Sequence, residues 1–170
     1  MEVNTIAEGF EYVPIDSVKR HPSNPRRGNV EAIKESIKAN GFFTALTVQK
    51  STGFILAGNH RWQAAKELGM ATVPAVFVDI DEVQAEKILL ADNRLSDIAE
   101  NDDALLAEML GQLSEFDSLL GTGYDDAFLE DLVSHLSVPD FQPVSEDLQG
   151  RLDEKKKAVC PSCGHEFTPS

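Results

Sequence analysis

Gly53-Phe54-Ile55-Leu56-Ala57-Gly58-Asn59-His60-Arg61-Trp62-Gln63-Ala64-Ala65 decides how this chain is read. A short apolar run, Phe54 to Ala57, stops at a glycine, and a helix-forming run from His60 to Leu68 follows at once. Glycine lets the backbone turn sharply and come close to a bound group. The first N–H groups of a helix starting there lack intrahelical partners and carry the positive end of the helix dipole. Arg61, on the first turn, adds a planar fork of donors that matches phosphate oxygens. A strand, a glycine and a helix N-terminus so arranged suit an anion, above all the phosphates of a nucleotide. The other reading open at this level is an ordinary strand–glycine–helix corner in which Arg61 caps a neighbouring carboxylate.

Outward from this corner the chain reads as α+β. Val13 to Val18 predicts a first strand, and His21-Pro22-Ser23-Asn24-Pro25-Arg26-Arg27-Gly28 a loop set by its prolines. Asn29 caps a helix running to Asn40, with Val30, Ile33 and Ile37 on one face and Gly41 as its stop. Leu46–Gln49 and Phe54–Ala57 flank Ser51-Thr52-Gly53 as a hairpin, and Val73 to Ile80 forms a further buried strand. From Asp81 the pattern turns helical. One stripe is Val83, Ile88, Leu89, Leu95 and Ile98; a second is Leu105, Leu106, Met109, Leu110 and Leu113; a third, within 125–136, is Phe128, Leu129, Leu132, Val133 and Leu136. These stripes are expected to pack as core. The expected organisation is a core over 1–80, a helical extension packed on it over 81–136, a linker over 137–157 and a small cysteine knuckle over 158–170.

Composition narrows the class. The 42% hydrophobic content can fill a modest core, and no run approaches the ~20 apolar residues that span a bilayer. The N-terminus lacks the basic-then-apolar layout of a signal peptide, so a soluble cytoplasmic protein with no membrane partner is expected. The net charge of −14 is uneven: residues 1–78 carry +2, residues 79–150 carry −17 and residues 151–170 carry +1. The middle section repels a phosphate backbone, so contact with DNA would fall to the N-terminal part or the tail. The acidic faces serve solubility or present a surface to a protein partner.

Five segments in one collinear order resemble the ParB/sulfiredoxin superfamily: Asn24-Pro25-Arg26-Arg27, Ser36 to Phe42, Ala57 to Ala65, Leu68 to Pro74, and Leu90-Ala91-Asp92-Asn93-Arg94-Leu95. The likeness covers roughly residues 13–135 and is nearest to ParB-like N-terminal domains of phage and mobile-element proteins, including those fused to DNA methyltransferases. It implies a small core of mixed sheet and helices. It also implies a nucleoside triphosphate, CTP or ATP, whose phosphates lie on Gly58, Asn59, His60 and Arg61, with Arg26 or Arg27 reaching the same site. Asp92 and Asn93 resemble an acidic–Asn pair that supports Mg²⁺ and triphosphate, and a carboxylate with an amide oxygen is suitable chemistry for that ion. Two departures stand out. ParB carries Glu and Arg where this chain has Asn59 and His60. The catalytic cysteine of sulfiredoxin is Asn59 here, which excludes sulfinic acid reduction. No helix-turn-helix pattern follows the core, so sequence-specific operator binding is not expected.

His60 has two roles open to it, a hydrogen bond to a backbone carbonyl or a phosphate contact. Trp62 is expected to pack under its helix rather than stack on a base. In the tail, Cys160-Pro161-Ser162-Cys163-Gly164-His165 has the shape of half a zinc ribbon. Cys160 and Cys163 supply two ligands and His165 is a candidate third; a site shared between two chains would give four thiolates, and free thiols are the competing reading. His135, the other nearby histidine, falls on an apolar helix face.

Three functions follow. The first is a nucleotide-binding regulatory or accessory factor acting with DNA or a DNA-processing protein, as a monomer or homodimer. The second is an Mg-dependent nuclease, NTPase or phosphotransferase, for which His60, Asp92 and Glu31 are candidate catalytic groups. The third is an acidic interaction adaptor with a vestigial pocket.

Overall fold

The computed structural model describes residue 6, residues 9–137 and residues 157–167. It divides into two compact units, residues 1–136 and 137–170. The expected linker over 137–157 lies almost wholly outside the described residues.

The first unit is built on a five-stranded mixed sheet. β1 (Glu11–Pro14) is followed by a 3-10 turn (Ile15–Ser17) and β2 (Lys19–Arg20). Next come α1 (Val30–Asn40), the hairpin of β3 (Leu46–Gln49) and β4 (Phe54–Ala57), α2 (Asn59–Glu67) and β5 (Thr72–Val78). The strand order is β1-β5-β3-β4-β2. β3 and β4 pair antiparallel as the turn residues predict, whereas β5 lies parallel to β3 and antiparallel to β1.

The single strand expected over Val13–Val18 is broken. Pro14 has no N–H to continue a ladder, and its carbonyl accepts the Ser17 hydroxyl at 2.6 Å, closing a turn. The turn separates β1, on one edge of the sheet, from β2, which pairs parallel with β4 on the opposite edge. The loop leaving β2 therefore starts beside the end of β4.

The core comprises Leu46, Val48, Ile55, Val73 and Ala75 of the sheet, with Val18 just before β2 and Ala65 of α2. Trp62 packs against it as expected, and its indole N–H donates to the Ile15 carbonyl at 2.9 Å. α3 (Glu82–Asp97) is capped by Asp81, whose side chain accepts from the Gln84 N–H. It covers Leu56 and Val78 with Ala85, and Ile88 packs alongside.

The later apolar stripes do not become core. α4 (Asp103–Phe116) and α5 (Asp126–Leu136) pack against one another. Yet Leu95, Ile98, Leu105, Met109, Phe116, Val133 and Leu136 are exposed, and Leu110 is the one buried residue of the two helices. Helical spacing says which residues share a face; it does not say what covers that face. The extension meets α1 through the bend before α5, where Asn40 Nδ2 donates to the Gly121 carbonyl at 3.1 Å and the Gly121 N–H donates to Glu35 at 3.3 Å. His135 is also exposed, with Nδ1 2.9 Å from the Asp131 carbonyl oxygen, so the apolar placement expected for it does not hold. Among the described residues no helix is long and apolar enough to cross a membrane.

The second unit is a hairpin of β6 (Ala158–Val159) and β7 (Glu166–Phe167), paired antiparallel.

Candidate functional site

β4 ends at Ala57, and Gly58 after it sits at φ 91° and ψ 20° and serves as the N-cap of α2. That left-handed backbone is costly for any residue with a Cβ. A Cβ here would also stand 2.7 Å from Leu46 Cδ2 and 3.2 Å from an Arg61 guanidinium nitrogen. Gly58 thus permits both the turn and the close approach of Arg61. No side chain caps α2, so the first-turn N–H groups of Asn59, His60 and Arg61 are left without intrahelical partners. The helix begins one residue earlier than the sequence run suggests, at Asn59.

This N-terminus opens on a cavity of about 150 Å³, whose lining includes Gly58, Asn59, His60, Arg61 and, from α3, Asp92 and Asn93. Asn24, Arg26 and Ser96 complete its polar wall. Among the described residues Arg61 makes one hydrogen bond, from Nη1 to the Thr44 carbonyl at 3.3 Å. Burial pulls its guanidinium below the usual pKa, and the charge of Asp92 partly restores it; a guanidinium stays charged across such a shift. A second cavity of about 280 Å³, between α1 and Gly121–Gly123, also has Arg61 in its wall.

Asn59 and His60 are placed differently from what the sequence implied. The Asn59 side chain is buried: Oδ1 accepts the His21 N–H at 2.9 Å and Nδ2 donates to the Ile55 carbonyl at 2.9 Å. It fastens the start of the 21–29 loop to the end of β4, so only its backbone N–H is left for an anion. His60 Nε2 accepts the Gly28 N–H at 2.9 Å. Burial, more than the nearby Arg20 charge, holds its pKa below the ordinary imidazole value. A ring kept neutral and used as an acceptor fixes the loop, and the geometry does not support the general-base role considered for His60.

The loop between β2 and α1 is tied to α3 as well. The Asn24 side chain accepts both the Arg26 N–H at 3.1 Å and Asn93 Nδ2 at 3.2 Å. Arg26 donates to the Asn93 carbonyl at 2.7 Å and forms an ion pair with Asp97 at 2.8 Å. Arg26 therefore lines the cavity with its fork turned to α3, whereas Arg27 is exposed and is not among the lining residues. Asn24 and Ser96 were missed as site residues. Asn24 lies in the same box as Arg26, and Ser96 lies one turn beyond Asp92 on α3, so spacing could have flagged both.

Asp92 is exposed at the cavity mouth. Its carboxylate and the Asn93 amide oxygen are hard donors of the kind Mg²⁺ takes while keeping several waters. Glu31 does not line the cavity; it pairs with Lys34 on α1 at 2.8 Å. Among the described residues no three His, Cys, Asp or Glu side chains gather as a metal centre. His165 therefore does not complete a three-ligand set with Cys160 and Cys163. Cys160 is held below the usual thiol range, first by the backbone N–H of Ser162, then by that of Cys163 and by the Cys163 thiol.

A family model described as the ParB N-terminal domain matches residues 1–94. Chromosome-partitioning protein ParB of Myxococcus xanthus is 37% identical over 91 residues, covering 50% of this chain and 31% of that protein. Stage 0 sporulation protein J of Bacillus subtilis is 33% identical over 98 residues, covering 54% of this chain and 35% of that protein. The chain thus spans about a third of the length of these curated relatives. Among solved structures, C-terminally truncated ParB from Caulobacter crescentus, complexed with CTP-gamma-S, is similar with a TM-score of 0.65 and 25% identity. That likeness covers 78% of this chain and 81% of the other. With more than half of its residues inside the match, this chain belongs to the ParB N-terminal domain family.

Proposed function

We propose that this chain binds a nucleoside triphosphate, CTP in the first instance, with its phosphates on the N-terminus of α2. One observation carries the reading: an uncapped helix start behind a left-handed glycine, with the Arg61 fork beside it, opens on a polar cavity faced by Asp92 and Asn93. The N–H groups of residues 59–61 and the Arg61 guanidinium hold the phosphates. Asp92 and the Asn93 amide oxygen hold Mg²⁺, which when bound neutralises phosphate charge. Because Asn59 contributes its backbone rather than its side chain, binding does not depend on the acidic residue that ParB carries there. Arg26 reaches the phosphates only by leaving Asp97.

The output is regulatory: nucleotide occupancy alters how the chain engages DNA or a DNA-processing protein. The phage or mobile-element setting rests on the likeness of the motif boxes alone. Nuclease chemistry draws little support, because cleavage sites gather several carboxylates and the cavity lining supplies one, Asp92. Equilibrium binding of CTP, ATP and GTP with Mg²⁺, to the native chain and to Arg61→Ala, tests the proposal. CTP binding that weakens strongly in the variant is expected; no binding of any of the three, or the same affinity in both proteins, overturns it.

A further inference from the structure

The small C-terminal hairpin poses a physical problem that the nucleotide site does not touch. β6 and β7 pair over two residues each. No residue from Lys157 to Glu166 is buried. A lone two-stranded hairpin is at best marginal in water, and units too small for a core are held by disulfides or metals. Here both cysteines are free thiols.

The turn between the strands is shaped around those thiols. The Cys160 N–H donates to the His165 carbonyl at 2.9 Å, and the Gly164 N–H donates back to the Cys160 carbonyl at 2.9 Å. Gly164 takes φ 73°, which lets the chain double back directly after Cys163. Cys160 and Cys163 thus sit with two residues between them on one tight, backbone-bonded turn. This is half of a tetrahedral thiolate site. The described residues do not supply the other half: no third His, Cys, Asp or Glu among them joins the pair.

We propose that Cys160 and Cys163 of two copies of this chain bind one Zn²⁺ between them, as a tetrathiolate centre that joins the two tails. Binding releases the four S–H protons to solvent and moves no electrons. The zinc and four thiolates carry a charge of −2, and each tail brings Lys155, Lys156 and Lys157 in sequence next to the site. Residues 151–170 carry +1 overall, so two tails meet without the repulsion that residues 79–150, at −17, would impose.

The test uses the full chain, purified under reducing conditions without chelator. Metal analysis should give one zinc per two chains. Replacement by Co²⁺ should give the thiolate-to-metal charge-transfer intensity of four sulfurs, which two cysteines per chain reach only across two chains. Cys160→Ser/Cys163→Ser should lose the zinc and the bridging while keeping nucleotide affinity unchanged, so failure here is separable from failure at α2. One zinc per chain with the two-thiolate intensity overturns the proposal. So does a metal-free chain, whether its thiols are free or joined as a Cys160–Cys163 disulfide.

Discussion

Replacing Arg61 by alanine tests the α2 corner most directly, because the structure separates its binding role from any folding role. Among the described residues the guanidinium has one partner, the Thr44 carbonyl at 3.3 Å in an exposed setting, and no ion pair within 4.0 Å. Removing it leaves Thr44 free to bond water, so stability should stay within about 0.5 kcal/mol of the native chain. Arg61 also lines the cavity at the start of α2. A hydrogen bond to a charged group is worth ~1.5–3 kcal/mol, and a bidentate contact with phosphate should bring about 3 kcal/mol. At roughly 1.4 kcal/mol per decade, CTP affinity should fall by about two orders of magnitude. Arg61→Lys keeps the charge but loses the planar fork, and should recover about tenfold of that loss. Titration calorimetry in Mg²⁺ buffer measures the affinities, and urea denaturation checks the fold. An Arg61→Ala chain that is equally stable yet binds CTP within about threefold of native would refute the reasoning.

Asn59→Ala should destabilise the chain by about 2–4 kcal/mol, since it strands the His21 N–H and the Ile55 carbonyl, both read from a urea midpoint; a loss below half of that would mean water replaces the amide. Gly58→Ala should cost about 1–3 kcal/mol from its left-handed backbone and the crowding at Leu46, and a thermal melt unchanged from native would contradict it. The His60 pKa lies below its ordinary value of 6.5. Above that value neither folded nor unfolded chain is protonated there and the residue adds nothing to pH dependence. As pH falls through about 6.5 the unfolded chain takes the proton first, so stability drops. His60→Gln should flatten that acid-side drop in urea denaturation, and a drop identical to native would show that other groups cause it. Asp97→Asn should free Arg26 and speed amide hydrogen exchange in the last turns of α3, at a cost of no more than about 1 kcal/mol; unchanged protection there would show that the Asn93 contacts suffice.

The parts legible in the sequence are those governed by neighbours a few residues away. The Phe54–Ala57 strand, the turn at Gly58, the α2 run and the Asn29 cap depend on local backbone geometry, and they stand where the pattern puts them. Trp62 has too large an apolar body to leave exposed, and it packs as expected. The Cys160–Cys163 turn is likewise local, because two intervening residues and a following glycine nearly dictate its path.

What the sequence could not decide is which partner each side chain finds at long range. Asn59 and His60 look alike as ligand groups beside a glycine turn. Asn59 meets His21, 38 positions away, and His60 meets Gly28, 32 positions away, so both turn toward the protein. Asp92 joins the site only because α3 lies across the end of β4. The break at Pro14 becomes a crossing of the sheet only because β5 and β4 offer their edges on opposite sides. The apolar stripes of α4 and α5 have the period of core helices, yet the fold brings too little surface to cover them. Periodicity and turn chemistry are properties of the chain; burial and hydrogen-bond partnership are properties of packing, settled only when distant segments compete for the same space.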